Sequence, residues 1–409
     1  MPGSGARRPY RGPAHRCPYG EGEPSVNAPT IAVLGGYGAV GRVVAQELAS
    51  AHPGATLRIG GRDPVQAEAL AAELKATGRP GPVESARADT ADAASLDAFC
   101  RGSHIVVNCA GPSYVVLDTV AKVALAAGAD YVDAGGDEPV HRALSEQRLA
   151  ESGRTALLTA GMMPGLTGLL PRWLAAQDLS EPSRLTAYAG TMDRLTPAGA
   201  ADYLLSLGGG YGEAQSAWRD GARVLRALTP LADVRLPFFP GTVSAYPYLS
   251  YEIERLARDL GLSTVDWYNV FDGGSHMLKT LSRLQGAMAG QSDLTPAARE
   301  LIDAAALDLF GRAPYQLFAL ELTGRHAGAP ATRSLVLRAG DTYRLTGLVA
   351  ALAASALVEG SVAPGVHYAA DVLDPSSVVE RVAKLDEVSL FETYRVPLAE
   401  AGDTEEGEL

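Results

Sequence analysis

The chain has 409 residues, 47% of them hydrophobic and 20% charged, with a formal net charge of -12. That length suits two joined domains at roughly 150 residues each, and the anionic balance argues against a partner held by its phosphate backbone, so no nucleic acid is expected. Cys17, Cys100 and Cys109 are odd in number and lack any CxxC or Cys/His spacing, so neither a disulfide framework nor a metal site is expected.

In chain order, residues 1–29 read as a disordered tail. Arg7, Arg8, Arg11 and Arg16 stand there among Gly and Pro, without the apolar run of a secretory signal, which makes the cytoplasm the expected location. From Thr30 the text reads apolar strand, glycine turn and helix, with Val40, Val43, Val44 and Leu48 on one helical face. Strands then recur at Leu57–Ile59, Val83–Ala88, Ile105–Asn108, Tyr131–Asp133 and Thr155–Thr159, with helices predicted at Pro64–Ala76, Ala94–Cys100, Val115–Ala127 and Pro139–Ser152. This alternation predicts an α/β fold, a doubly wound parallel sheet of the Rossmann type over residues 30–160.

Beyond Pro164 the rhythm breaks. Strands at Ser183–Gly190, Ala319–Gly324 and Thr332–Ala339, with helices at Ala198–Leu205 and Ala297–Leu309, predict a second, α+β domain over 161–340 with a mostly antiparallel sheet. The order within Arg219–Met288 is not legible. Residues 341–390 read as helices that return to the first domain, and 391–409 as an acidic tail. The apolar run Leu345–Val358 falls short of the ~20 residues that cross a bilayer and reads as a buried helix, so no membrane association is expected.

The strongest motif is Gly36-Tyr37-Gly38-Ala39-Val40-Gly41, a GxGxxG directly between a strand and a helix. Gly36 permits the turn, Gly38 lets backbone approach a pyrophosphate, and Gly41 lets helix and sheet pack closely, while the helix N-terminus receives the phosphate charge. At the end of the second strand, where an acid for the ribose diol of NAD is usual, the chain has Gly60-Gly61-Arg62-Asp63. Glycine in place of the acid and a neighbouring Arg62 suit the 2′-phosphate of NADP(H), whereas an Asp63 that holds the ribose would suit NAD. Asp89 is either an adenine contact or a helix cap. Asn108, Ala110, Gly111 and Pro112 end the fourth strand at the carboxyl edge, where ligands bind in such sheets, and Gly111-Pro112 shapes a loop past the nicotinamide ribose.

These stretches, with Ala129–Asp133, Gly135–Glu138, Ala160-Gly161, Pro164-Gly165 and Tyr343–Gly347, resemble the saccharopine dehydrogenase-like NAD(P)-dependent reductases over about residues 30–170, and loosely over 340–385. The resemblance implies a Rossmann domain holding the dinucleotide and a second domain that covers it and forms a homodimer. It also implies chemistry that makes or breaks a secondary amine through an imine. By the same resemblance Asn108, Gly111 and Pro112 line the nicotinamide side and the Tyr131–Asp133 strand end faces the cleft. The chain departs from the pattern in showing no basic cluster for two substrate carboxylates.

Hydride transfer needs one positioned proton donor besides the cofactor. The candidates are Asp133, at a strand's carboxyl end, His276, in the glycine-rich run Asp272–His276, and Tyr188 in the second domain. The expected function is NADPH-dependent reduction of a C=N bond in a small metabolite, of cyclic imine or thiazoline type, in secondary metabolism. An opine dehydrogenase, an enoyl reductase acting in trans on a carrier-bound chain, and a dinucleotide-binding regulator are the alternatives.

Overall fold

A computed structural model of the chain describes residues 28–206, 210–272, 274–287 and 293–406. The first part of the chain alternates β1 (Thr30–Leu34), α1 (Ala39–Ala51), β2 (Thr56–Gly61), α2 (Pro64–Ala76), β3 (Val83–Arg87), α3 (Ala93–Cys100) and β4 (Ile105–Asn108). It continues with α4 (Ser113–Val116), α5 (Thr119–Ala126), β5 (Asp130–Asp133), α6 (Glu138–Ser145), α7 (Leu149–Ser152) and β6 (Thr155–Leu158). The helices predicted at Val115–Ala127 and Pro139–Ser152 are each broken. Leu117 and Arg148 sit at positive φ, 45° and 51°, which a continuing helix excludes.

The second part holds α8 (Leu166–Ala175), β7 (Ser180–Met192), α9 (Pro197–Ser206), β8 (Gly212–Ala214), β9 (Ala217–Arg219), β10 (Ala222–Val224) and β11 (Leu231–Val234). It continues with β12 (Val243–Ser250), α10 (Tyr251–Asp259), β13 (Thr264–Asp272), α11 (His276–Ala287), α12 (Thr295–Leu309), β14 (Tyr315–His326) and β15 (Ala329–Ala339). The chain ends with α13 (Thr342–Val358), β16 (Gly365–Tyr368), α14 (Ala369–Val372), α15 (Pro375–Ala383), β17 (Val388–Tyr394) and α16 (Leu398–Glu406).

The first sheet is parallel, in the order β16-β6-β5-β4-β1-β2-β3. Its order reverses direction between β1 and β4, which opens a crevice at the carboxyl ends of those two strands. β16, contributed by the C-terminal segment, extends the edge next to β6. The second sheet runs β10-β9-β13-β7-β14-β15-β17, with β12, β11 and β8 joined to its side, and is antiparallel except for the parallel pair β13 and β7.

One apolar core runs from the first sheet through α1, α8 and α13 onto the near face of the second, joining Ile31, Val33, Leu48, Leu170 and Leu345 to Leu185, Ala187 and Phe318. The glycine of the Tyr343–Gly347 motif serves this packing, because a Cβ at Gly347 would stand 2.5 Å from Cβ of Val43 on α1. Residues 391–409, read from sequence as a tail, instead begin inside β17, and Leu398 and Ala401 of α16 are buried. The segment's acidity hid a strand that pairs with β15 through residues as distant as Ser334 and Tyr394. Residues 1–27 of the expected N-terminal tail lie outside the described residues. No described helix is long and apolar enough to cross a membrane.

Candidate dinucleotide and substrate site

The glycine turn between β1 and α1 is shaped by close backbone approach. Gly35 has φ 73°, and a Cβ there would meet the Cys109 carbonyl oxygen at 2.8 Å, so the β1 and β4 loops touch at the crevice. A Cβ at Gly41 would stand 2.2 Å from the Gly35 oxygen. Gly38 and Ala39 are exposed. Gly38 is the N-cap of α1, yet no side chain caps this helix and its first turn holds no acid. By contrast α2, α3, α10, α13 and α15 are each capped by a side chain, from Asp63, Asp92, Ser250, Asp341 and Asp374. Free N–H groups at an uncapped N-terminus fit a phosphate, and this is the feature by which the site suits a dinucleotide.

At the end of β2, Asp63 is committed to its own helix: Oδ1 accepts from Val65 N at 2.9 Å and Oδ2 from Gln66 Nε2 at 2.9 Å. It is therefore a cap and not a ribose ligand. Tyr37 reaches across from the glycine turn, its hydroxyl accepting from Asp63 N at 2.9 Å and its ring filling the place a Cβ on Gly61 would need. Arg62 is exposed and makes no ion pair among the described residues. Arg87, opposite Gly61 in the β2–β3 register, adds a second cation at this edge. Asp89 resolves as a turn residue: Oδ1 accepts from Ala91 N at 3.1 Å and Oδ2 lies 3.6 Å from Arg87. Residues of the glycine turn would hold the pyrophosphate, and Arg62, with Arg87 near, the 2′-phosphate.

The ends of β4 and β5 meet in a buried polar knot. Asp133 Oδ2 accepts from the Tyr131 hydroxyl at 2.5 Å and from Asn108 Nδ2 at 3.3 Å, while Oδ1 accepts from Gly135 N at 2.9 Å. Asn108 Oδ1 in turn accepts from Ala110 N at 3.1 Å, which shapes the strand's exit into Gly111-Pro112. Burial pushes the Asp133 carboxyl above its ordinary range, with the hydrogen bonds from Tyr131, Gly135 and Asn108 opposing. Both oxygens are thus occupied, and Asp133 holds the loops in place. The Cys109 thiol is likewise raised by burial, which rules against a thiolate nucleophile.

The structure does not bring the other two candidate donors here. Tyr188 lies on β7 between Ala187 and Ala189, and since side chains alternate along a strand it faces the far side of the second sheet, stacked on Tyr268 at 5.3 Å. Burial pushes its phenol up to about 12. His276 opens α11, 58% exposed, with Nδ1 2.9 Å from Asp308 Oδ1 on α12. Its neighbour Gly273 lies outside the described residues.

What the fold delivers in their place is Asp202, from α9. Its Oδ1 accepts from Ser113 Oγ and Tyr114 N, both at 3.2 Å, and caps the turn after β4. Oδ2 accepts no hydrogen bond among the described residues and lies 3.5 Å from where a Cβ on Gly111 would stand. Burial raises the Asp202 carboxyl, opposed by the bonds from Ser113 and Tyr114. Around it stand Tyr114, whose ring centroid is 3.9 Å from that of Tyr211, and Tyr248, near enough to raise the Tyr114 phenol. Asp137, after β5, pairs with Arg255 of α10 at 3.1 Å, and the Arg255 guanidinium lies 3.3 Å over the Tyr368 ring. One nitrogen of Arg255, Nη2, is buried without a partner among the described residues.

Sequence reading missed Asp202 because an isolated Ala-Asp-Tyr within a helix carries no motif. Its only local signal is a carboxylate inside an otherwise apolar α9.

Comparisons agree with this geometry. Residues 31–159 match the family model of the saccharopine dehydrogenase NADP binding domain. A curated relative from Arabidopsis thaliana, described as a probable mitochondrial saccharopine dehydrogenase-like oxidoreductase, is 28% identical over 176 residues, 39% of this chain. The match spans only 37% of that relative's length. Among solved structures, apo saccharopine dehydrogenase (L-Glu forming) from Saccharomyces cerevisiae superposes with a TM-score of 0.62 at 15% identity, covering 90% of this chain and 100% of that one. At that identity the likeness is one of fold. Residues 31–159 form an NADP-binding domain similar to that of saccharopine dehydrogenase, set in a chain that shares the saccharopine dehydrogenase fold.

Proposed function

We propose that the protein is an NADP(H)-dependent oxidoreductase that reduces a C=N bond in a small or carrier-bound metabolite, of cyclic imine or thiazoline type. The observation that carries the reading is Asp202, a half-buried carboxylate with one oxygen free of hydrogen bonds among the described residues, delivered by the second domain to the crevice of the NADP-binding sheet. NADPH, when bound, supplies a hydride to the carbon of the C=N bond. Asp202 Oδ2 gives its proton to the nitrogen, which leaves a secondary amine and a carboxylate that solvent reprotonates. A carboxyl raised by burial remains a donor at higher pH than a free one, which suits this role.

The reverse direction, oxidation of an opine-like secondary amine, uses the same two groups. The unpartnered Nη2 of Arg255 is what favours it, since a guanidinium nitrogen there suits one substrate carboxylate. The reading includes a homodimer and action in the cytoplasm, although the curated relative is described as mitochondrial.

The test is NADPH consumption by the purified protein against pyrroline-type imines, thiazolines, keto acids with amines, and saccharopine with NADP. Turnover of a cyclic imine that is lost in Asp202→Asn while NADPH still binds is the expected result. NADPH binding with no turnover of any of them leaves a dinucleotide-binding regulator.

A further inference from the structure

The crevice beside Asp202 has a side-chain chemistry of its own. Tyr114, on α4 after β4, Tyr211, just before β8, and Tyr248, on β12, come from three separate stretches of chain and converge there. All three are half-buried, and none of their hydroxyls makes a hydrogen bond among the described residues. Burial pushes the Tyr211 and Tyr248 phenols up to about 12, so they stay neutral.

The charges facing these rings are mostly negative: Asp202, Asp133 and Asp137 act on Tyr211, and Asp137 and Glu213 on Tyr248. The cations within reach are already engaged. Arg255 is paired with Asp137 and Arg223 with Glu254, so Asp202 and Asp133 remain without a cationic partner among the described residues. Two apolar side chains are exposed at the same edge of the first sheet: Val115, 63% exposed, on α4 after β4, and Met163, 45% exposed, after β6, two strands along.

We infer that this recess, on the reading of the site given above, selects a substrate whose nitrogen is a cation: an iminium or ammonium seated against the faces of Tyr114, Tyr211 and Tyr248 beside Asp202, its apolar body toward Val115 and Met163. Ring faces attract a desolvated cation through their quadrupole, and the adjacent carboxylates add to the attraction. A dicarboxylate amine is disfavoured there, because its anionic groups would meet Asp202 and Asp133 with only the engaged Arg255 to receive them. The iminium also fits the chemistry: proton transfer from Asp202 to a neutral C=N bond leaves this cation against the Asp202 carboxylate, and it accepts a hydride more readily than the neutral imine.

The experiment is calorimetric titration of the NADPH-saturated protein with three phenyl probes of similar size: cationic benzyltrimethylammonium, neutral benzylacetone and anionic hydrocinnamate. The cation is expected to bind about tenfold more tightly than either other probe. Tyr211→Leu and Tyr248→Leu should each remove most of that preference, while Tyr211→Phe keeps it because the ring face remains. Hydrocinnamate binding as tightly as the cation, or a preference that survives both Leu variants, overturns the inference. NADPH is titrated alone in the same series. If it fails to bind, the proposed function falls, and the probe ranking on the protein without NADPH still decides for or against the cation recess.

Discussion

The two walls of the crevice are built by different means. The cofactor wall, from the glycine turn to the end of β2, is backbone: Gly35, Gly38 and Gly41 leave room, and the uncapped start of α1 offers N–H groups. The substrate wall is side chain: Asp202, Tyr211 and Tyr248 come from the second domain and meet Tyr114 and Asp137 of the first. A backbone wall recognises what every dinucleotide shares, whereas a side-chain wall can change with the substrate while the fold stays. Damage to the first should abolish cofactor binding, and damage to the second should spare it.

The sharpest break is Gly41→Val. With a Cβ forced to 2.2 Å from the Gly35 oxygen, α1 must move off the turn, and NADPH affinity should fall by roughly a hundredfold in a fluorescence titration. Unchanged affinity would mean that the turn does not hold the pyrophosphate.

Asp202→Asn attacks the other wall. The amide can still accept the bonds from Ser113 and Tyr114 but cannot give a proton, so kcat for imine reduction should fall by about a hundredfold while the NADPH Kd stays put. In the native protein the reduction rate should decline as pH rises through the raised Asp202 pKa, and the residual rate of the variant should lack that limb.

Glu252 tests how the walls are joined. This fully buried carboxyl on α10 accepts from Gly165 N at 2.7 Å and from Thr167 Oγ1, and burial lifts it from 4.5 to about 7. A carboxyl raised by folding is favoured in its protonated form, so its stabilising contribution is complete below its unfolded pKa and is lost as pH rises through about 7. Urea titrations should show native stability falling by roughly 2–3 kcal/mol more than that of Glu252→Gln between pH 5 and pH 8. Parallel pH profiles for the two proteins would show that Glu252 ionises freely in the fold.

The smallest effect expected is that of Arg62→Ala. Loss of one exposed cation should weaken NADPH by about tenfold and leave NADH unchanged, because Arg87 remains across the register from Gly61. An unchanged preference for NADPH would shift the 2′-phosphate to Arg87.

Much of the first domain was legible because its signals are local. A glycine turn between an apolar strand and a helix is set by residues adjacent in sequence, so the places of Gly36–Gly41, Arg62 and Asn108–Pro112 along the strand ends are legible in the sequence. Asp63 shows the limit: ribose ligand and helix cap are both good uses of an Asp after a strand, and only the bonds from Val65 and Gln66 decide between them. Tyr188 shows another, since the strand was foreseen, but which face of it looked toward the cofactor depended on the packing of the whole sheet.

The sequence by itself determined the parallel sheet, the glycine turn between β1 and α1, and the place of Arg62 after β2. Only the tertiary structure decided the substrate wall. Asp202 stands 89 residues from Ser113, and Tyr248 lies still farther along, so their convergence follows from how α9 and β12 dock over the first sheet. No spacing along the chain encodes such a contact, because the apolar surfaces that enforce it are assembled from distant stretches: α9 packs with α11 and α12, and Leu249 of β12 packs in the core that joins the two sheets.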